Sequence, residues 1–348
     1  MFRVILLTVS LSLGILLILR ISHTRRLFDI NYIIKRSHLN AAMPNIVRTF
    51  TPFHDGEYNV ISGLFTPPDA AEVKVSDTDI TVCSQTSVGN LFYIVPLAEA
   101  WGGRISVAVF TYDDRVDVTL AYILLLRMCS PAVKQRTSFH LVAPFNRVPR
   151  HLNVTAYQSA DCALLADLKI KFAEENYAFK GVKYPVNVLR NVALTYASTP
   201  YVMNIDIDLL PSYGLHGKMT SFFRKLNKTE KFRKYLYVVP SFESNSSNVI
   251  YSKKDLTKRK QQGTIRQFWV GRCSTCQHNT DYERWFSLPL HDELNVAYFV
   301  RYKRAYEPYY IALKEILPPF DGRFKQFGFN RFSQVRHKLR YMYMGLRP

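Results

Sequence analysis

From Asp79 to Ile205 the 348-residue chain alternates between short apolar runs and amphipathic ones, and this limits its possible folds more than any other feature. "DITVC" reads as a buried strand, "VGNLFYIVPLAEAW" as a helix, "ISVAVFT" as a strand, "VDVTLAYILLLRMC" as a helix and "SFHLVA" as a strand. Behind Pro185, "YPVNVLRNVALTYA" puts Val186, Leu189 and Val192 or Ala193 on one helical face, and the apolar strand "YVMNI" follows. Strands alternating with helices predict an α/β fold with a mostly parallel sheet covered on both faces. In such sheets ligands sit beyond the carboxyl ends of the strands.

One of those ends carries Asp206 and Asp208, within "YVMNIDIDLLPSYGL" (residues 201–215). Residues two apart in a strand share a face, so the pair could be only the wet side of an ordinary strand with Ile205 and Ile207 turned inward. The context favours a rim site instead. A strand buried on both faces ends before its polar residues begin, and Pro211 and Gly214 then turn the chain. Carboxylates in a short rim segment suit Mn²⁺ or Mg²⁺, which bind one or two carboxylates together with substrate phosphates. That arrangement fits a nucleotide diphosphate, whose departing charge the metal would neutralise.

With 48% hydrophobic and 14% aromatic residues the chain is far too apolar to be disordered, and its length allows one large domain or two lobes. A formal charge of +19 points to an anionic partner: nucleic acid, acidic glycan, nucleotide-sugar or membrane surface. No nucleic-acid motif is present, and the basic run "SKKDLTKRKQQ" (residues 252–262) reads as a solvated loop. Residues 4–19 form an uncharged apolar run between Arg3 and Arg20 with no small-residue cleavage site after it, which reads as an uncleaved anchor. Arg20, Arg25 and Arg26 by themselves would hold the following chain in the cytosol. Three N-glycosylation patterns, at Asn153, Asn227 and Asn245, argue for the lumen. Five cysteines allow one or two disulfides and a leftover thiol. "CSTC" at 273–276 lacks the further ligands of a zinc site and reads as a structural loop or disulfide.

The segments "ITVCSQTSVGNLFYIVPLAEAWGGRISVAVF", "YPVNVLRNVA", "YVMNIDIDLLPSYGL", "TDYERW" and "EPYYIALKEILPPFDGRFKQFGFNRFSQV" occur in this order across residues 79–336. In that combination the chain resembles glycosyltransferase family 49. The resemblance implies a GT-A fold, with a Rossmann-like nucleotide half at 79–215 and an acceptor half at 216–348. Ahead of it lie a short tail and signal-anchor at 1–23 and a stem at 24–78. It further implies an inverting glucuronyltransferase that takes UDP-glucuronate as donor and a glycoprotein's glycan as acceptor, on a single-pass type II anchor in the Golgi. By the same resemblance Asp206 and Asp208 hold Mn²⁺ or Mg²⁺, Gln85 and Thr86 lie where uridine sits, and Asn187 and Arg190 join the donor site. Arg190 would reach a phosphate or the uronate carboxylate, or else form a helix-surface ion pair. Asp321 becomes the general base, with Asp281 and Glu283 as runners-up and an N-cap as its plainer role. Trp285, Phe329 and Asn330 become acceptor contacts, although the aromatics suit a core equally.

The family continues past "FGFN" into a strand-like segment whose His completes the metal site. Here the only His after Asp321 is His337, too early for that role, which leaves the ligand to another group or to water. A fold-retaining glycan-binding relative without catalysis is the alternative reading. If the chain is lumenal, the expressed protein loses mass on endoglycosidase treatment and its Asn245→Gln variant loses less. Insensitivity to the enzyme in secretory-pathway expression would contradict a glycosylated lumenal chain.

Overall fold

The structure, a computed structural model, describes residues 46–347 except 71, 73, 114, 149–150, 155–160, 174–176, 178–180, 227–234, 246–251, 274, 291–292, 304, 327–329, 332–333 and 335–342. The expected anchor, Asn227, Phe329 and His337 therefore lie outside the described residues. Strands run in the order β1 (Ile46–Thr49), β2 (Thr51–Phe53), β3 (Tyr58–Phe65), β4 (Ile80–Ser87), β5 (Arg104–Phe110), β6 (Thr137–Pro144), β7 (His151–Val154) and β8 (Tyr201–Asn204). They continue with β9 (Leu236–Val239), β10 (Phe242–Ser244), β11 (Ile265–Gln267), β12 (Asn295–Val300), β13 (Tyr309–Leu313) and β14 (Tyr343–Arg347). Helices are α1 (Ile94–Trp101), α2 (Arg115–Cys129), α3 (Pro131–Arg136), α4 (Leu164–Phe172), α5 (Val186–Thr195), α6 (Leu215–Leu226), α7 (Lys253–Gln261) and α8 (Tyr282–Ser287). No helix among the described residues is long and apolar enough to cross a membrane.

A ten-stranded sheet in the order β12-β14-β9-β13-β8-β4-β5-β6-β3-β2 organises the molecule. Its middle, β8-β4-β5-β6, is parallel throughout. The chain lays down β4, β5 and β6 successively to one side, then crosses back to put β8 on the other side of β4. The strand order therefore reverses between β4 and β8, and the crevice beyond their carboxyl ends is the usual ligand site of such a sheet. This is the GT-A type of α/β arrangement.

Burial on both faces explains why β8 is so apolar. Tyr201 and Met203 join the core on one side, with the Tyr201 ring stacked on Phe223 of α6 at 3.9 Å, while Val202 joins the core on the other side with Val188, Leu189 and Val192 of α5. Ile205 and Ile207 stay buried after the strand ends, so the intervening Asp206 turns the opposite way. Pairing of the Ser84 hydroxyl with the Ile205 carbonyl (2.9 Å) carries the contact with β4 past the last strand residue.

Two regions differ from the sequence reading. Within the expected stem, β2 is the edge strand of the main sheet and β3 lies between it and β6, antiparallel to both. Its alternation is broken by an irregularity between Ile61 and Phe65 that contains Gly63 at φ +57°. The basic run 252–262 is mostly helix α7, capped by the Ser252 hydroxyl, which accepts from the Asp255 N–H (3.1 Å). Near the end of the described residues, β14 inserts between β12 and β9, parallel to β9. Disulfides join Cys129 to Cys162 and Cys273 to Cys276, leaving Cys83 buried as a thiol.

At the Gly63 irregularity a side chain substitutes for a strand partner. The Gly63 N–H donates to His140 Nδ1 (2.9 Å), which fixes the ring proton on Nε2, and Nε2 then donates to Ser106 Oγ (3.0 Å). The Ser106 hydroxyl in turn donates to the Ala193 carbonyl (2.7 Å), which ties α5 to the sheet. Burial pushes the His140 pKa down to about 4. The unfolded chain, with a His pKa of about 6.5, takes up the proton first as pH falls. Stability is therefore full above about pH 6.5, is lost between there and about 4, and the loss amounts to about 3 kcal/mol. Urea unfolding should show the gap between wild type and His140→Gln narrowing by that amount from pH 7 to 4; a constant gap would contradict the account.

Candidate active site

Beyond the carboxyl ends of β4 and β8 lies a cleft of about 1060 Å³. Gln85, Arg190, Asp206, Asp208, Tyr309, Asn330 and Arg331 line its floor, and Glu243, Arg266, Trp269, Arg272 and Glu307 come from the acceptor side. The size suits a ligand larger than a single sugar.

Asp206 is at the centre of the floor. Its Oδ1 accepts from Arg190 Nη2 (3.1 Å) and Gln85 Nε2 (3.4 Å), and its Oδ2 from the Tyr309 hydroxyl (2.8 Å) and Arg331 Nη2 (2.5 Å). An ionised carboxylate offers about four lone-pair positions, so these donors saturate it. Burial works against its charge, but Arg331, Arg190 and the Tyr309 hydrogen bond outweigh that and hold its pKa well below the usual carboxylate range. The donors are themselves held in place. Tyr184 donates its hydroxyl to Gln85 Oε1, and the Arg331 guanidinium lies 3.9 Å from the Tyr309 ring centroid.

Asp208 is the opposite case. The residue is exposed to the cleft, but its carboxyl lies recessed beneath the cleft walls, and that partial desolvation, with the charge of Asp206, raises its pKa. No ion pair joins it to a cation among the described residues. The two carboxylates differ in their surroundings: Asp206 accepts from four protein donors, whereas Asp208 has no ion-pair partner among the described residues. Among the described residues no cluster of three or more His, Cys, Asp and Glu side chains sits together. The donor set fits a hard cation held by Asp208, ligand phosphates and water, the usual style for Mg²⁺.

The polar residues of α5 hold the C-terminal segment beside this floor. Asn187 Nδ2 donates to the carbonyls of Asp321 (2.9 Å) and Asn330 (2.8 Å), and Asn191 exchanges hydrogen bonds with the backbone of Phe320 (2.8 Å each). Arg190, itself buried at the cleft floor, donates to Asn330 Oδ1 (2.7 Å) as well as to Asp206, so its ion pair is within the site and not on a helix surface. Asn187 is fully buried and acts as a brace, not a cleft contact.

Other expected site residues separate. Gln85 and Asn330 line the cleft as expected. Thr86 does not line it; its buried hydroxyl donates to the Ser87 carbonyl (3.0 Å). Trp285 is a core residue, 3% exposed, packed against Phe242 and Phe286 with the Lys253 ammonium 4.6 Å from its ring centroid. Asp321 does not line the cleft: its carboxylate accepts from the Arg323 N–H (3.0 Å) and guanidinium (2.6 Å) in a surface turn. Asp281 caps α8, accepting from the Arg284 N–H (3.2 Å), and Glu283 pairs with Lys260 (2.7 Å). Tyr309 and Arg331 went unrecognised because each looks like a core or surface residue within its own segment.

Comparison with known proteins agrees with this geometry. Residues 79–344 match the family described as glycosyl-transferase for dystroglycan. The chain is similar to beta-1,4-glucuronyltransferase 1 of Homo sapiens, 33% identical over 291 residues that cover 80% of this chain and 67% of that protein. The protein of the same name from Danio rerio is 34% identical over 267 residues, 74% of this chain and 61% of that one. Xylosyl- and glucuronyltransferase LARGE2 of Mus musculus is 28% identical over 261 residues, 74% of this chain and 31% of that one. The chain thus spans about two thirds or less of the length of these relatives.

The split between the two carboxylates predicts opposite effects on stability. Asp206→Ala leaves two buried guanidiniums without their anion and should cost about 3–5 kcal/mol in chemical denaturation. Asp208→Ala removes charge repulsion and should be neutral or slightly stabilising. Equal losses in the two variants would contradict the assignment.

Proposed function

The chain belongs to glycosyltransferase family 49, and on that premise we propose that it transfers glucuronate from UDP-glucuronate to a glycan on a glycoprotein, with inversion at the anomeric carbon. Sugar transfer follows from the family; the donor, the metal and the stereochemistry are the proposal. The observation that carries it is the uncommitted Asp208 carboxylate at the strand-order reversal, in a cleft large enough for a nucleotide-sugar. The relatives' names, beta-1,4-glucuronyltransferase 1 above all, support glucuronate as the sugar.

In this reading Asp208 holds Mn²⁺ or Mg²⁺, which when bound neutralises charge on the leaving diphosphate. Asp206 keeps Arg190, Arg331 and Tyr309 in fixed positions around that point, a preorganisation made before substrate arrives. Tyr177 and Tyr184, stacked at 4.8 Å on the cleft wall, offer a flat surface to the uracil ring. Inversion needs a carboxylate to take the acceptor's proton. Asp321 would have to leave Arg323 and its turn move into the cleft, which it does not line in this structure, while Asn187 keeps the Asp321 backbone next to Asn330. Glu307, on the cleft wall, is the other candidate.

The proposed address is the lumenal side of the Golgi membrane on a type II anchor. The uncharged run at residues 4–19, the exposed Asn245 and two disulfides support it. A glycan-binding relative without catalysis is the second reading, favoured by Asp206, whose oxygens are taken by protein donors.

The test is UDP release from UDP-glucuronate, compared with UDP-glucose and UDP-xylose, using dystroglycan glycopeptides as acceptors. Release selective for UDP-glucuronate, reduced on the order of 100-fold in Asp208→Asn, is expected. Selectivity for another donor would overturn the choice of sugar. Binding of UDP with no turnover of any donor would favour the second reading.

A further inference from the structure

The charged groups of the cleft almost cancel in pairs. Its described cations are all arginines: Arg190, Arg266, Arg272 and Arg331. Arg190 and Arg331 are spent on Asp206, and Arg266 Nε pairs with Glu243 Oε2 (2.5 Å). Once these pairs are drawn, Asp208, Glu307 and Arg272 remain, and Arg272 is the one lining cation that forms no ion pair among the described residues. A metal-bound diphosphate accounts for Asp208 and leaves Arg272 unexplained.

Arg272 is exposed but not loosely mounted. It sits in a tight turn in which its own N–H (3.0 Å) and that of Cys273 (2.8 Å) donate to the Trp269 carbonyl. On one side Trp269, at φ +62°, donates its N–H to Glu243 Oε1 (3.1 Å). On the other, the Cys273–Cys276 disulfide closes the loop, and Glu307 N–H donates to the Cys276 carbonyl (2.9 Å). The turn is thus fastened to both acidic residues of the acceptor-side wall, and Arg272 projects from it into the cleft. A non-glycine residue at positive φ is uncommon and is kept where the surrounding structure enforces it.

We propose that Arg272 binds the C6 carboxylate of the donor sugar and so selects a uronate over the neutral hexose. This rests on the reading of a UDP-glucuronate donor. A planar guanidinium matches a carboxylate through two parallel hydrogen bonds, which an ammonium cannot reproduce and a hydroxymethyl group cannot use. With no lysine or histidine among the described lining residues, Arg272 is the cation left for a second negative group of the ligand.

Calorimetric titration of the whole chain with UDP, UDP-glucose and UDP-glucuronate, in Mn²⁺, tests the assignment on wild type, Arg272→Ala and Arg272→Lys. Arg272→Ala should weaken UDP-glucuronate about 10- to 100-fold, with UDP and UDP-glucose changed less than about twofold, and Arg272→Lys should fall between. Unchanged UDP binding also shows that the variants are folded. Equal weakening of all three ligands, or of none, overturns the assignment while leaving the donor reading intact. Wild-type protein that binds UDP yet shows no preference for UDP-glucuronate over UDP-glucose overturns the donor reading and Arg272's role with it.

Discussion

The carboxylate of Asp206 is the contact on which the rest of the cleft depends. It joins β4 through Gln85, α5 through Arg190, β13 through Tyr309 and the C-terminal segment through Arg331. These pieces are far apart in sequence. Two guanidiniums this deeply buried are tolerable only with an anion between them, because an unpaired charge in that position would be very costly. Asp206 thus holds the floor of the cleft together, while its neighbour two residues on, Asp208, has no ion-pair partner among the described residues.

Sheet topology explains why the junction forms there. Reversal of strand order between β4 and β8 opens a crevice at their carboxyl ends, and β13 enters antiparallel on the far side of β8 to bring Tyr309 across it. Helix α5 packs its apolar face on the sheet and turns Asn187, Arg190 and Asn191 toward the segment around Phe320 and Asn330. The acceptor-side wall is fastened differently, by the Cys273–Cys276 disulfide and by backbone bonds to Glu243 and Glu307. One wall is built by charge pairing and packing, the other by a cross-linked loop.

Much of this was legible in the sequence, and the failures have physical causes. Periodicity located β4, β5, β6, α5 and β8, and the rule that a doubly buried strand ends before its polar residues put Asp206 and Asp208 at the rim. Periodicity says nothing about which remote residues converge, so Tyr309 and Arg331 were invisible although both lie in segments singled out by resemblance. Trp285 shows the converse: an aromatic near a motif carries no sign of whether it faces core or ligand, and here Phe242, Phe286 and Lys253 enclose it. The basic run of α7 hides a helix behind its charge, and the local sign of that helix is the Ser252 cap three residues before Asp255. Strand β3 does not stand out in the sequence because the irregularity at Gly63 interrupts its alternation.

The central claim is that the two carboxylates divide the work, with Asp208 meeting the metal and its nucleotide and Asp206 holding the protein groups around it. Calorimetric titration of UDP into the protein, with Mn²⁺ and with chelator, in wild type and Asp208→Asn, addresses that claim most directly. The account predicts binding that needs the metal and that falls in Asp208→Asn to the level seen with chelator, while the variant's fold is unchanged. Binding of equal strength in chelator, or unaltered by Asp208→Asn, would contradict it and leave the cleft's arginines as the whole of the diphosphate site.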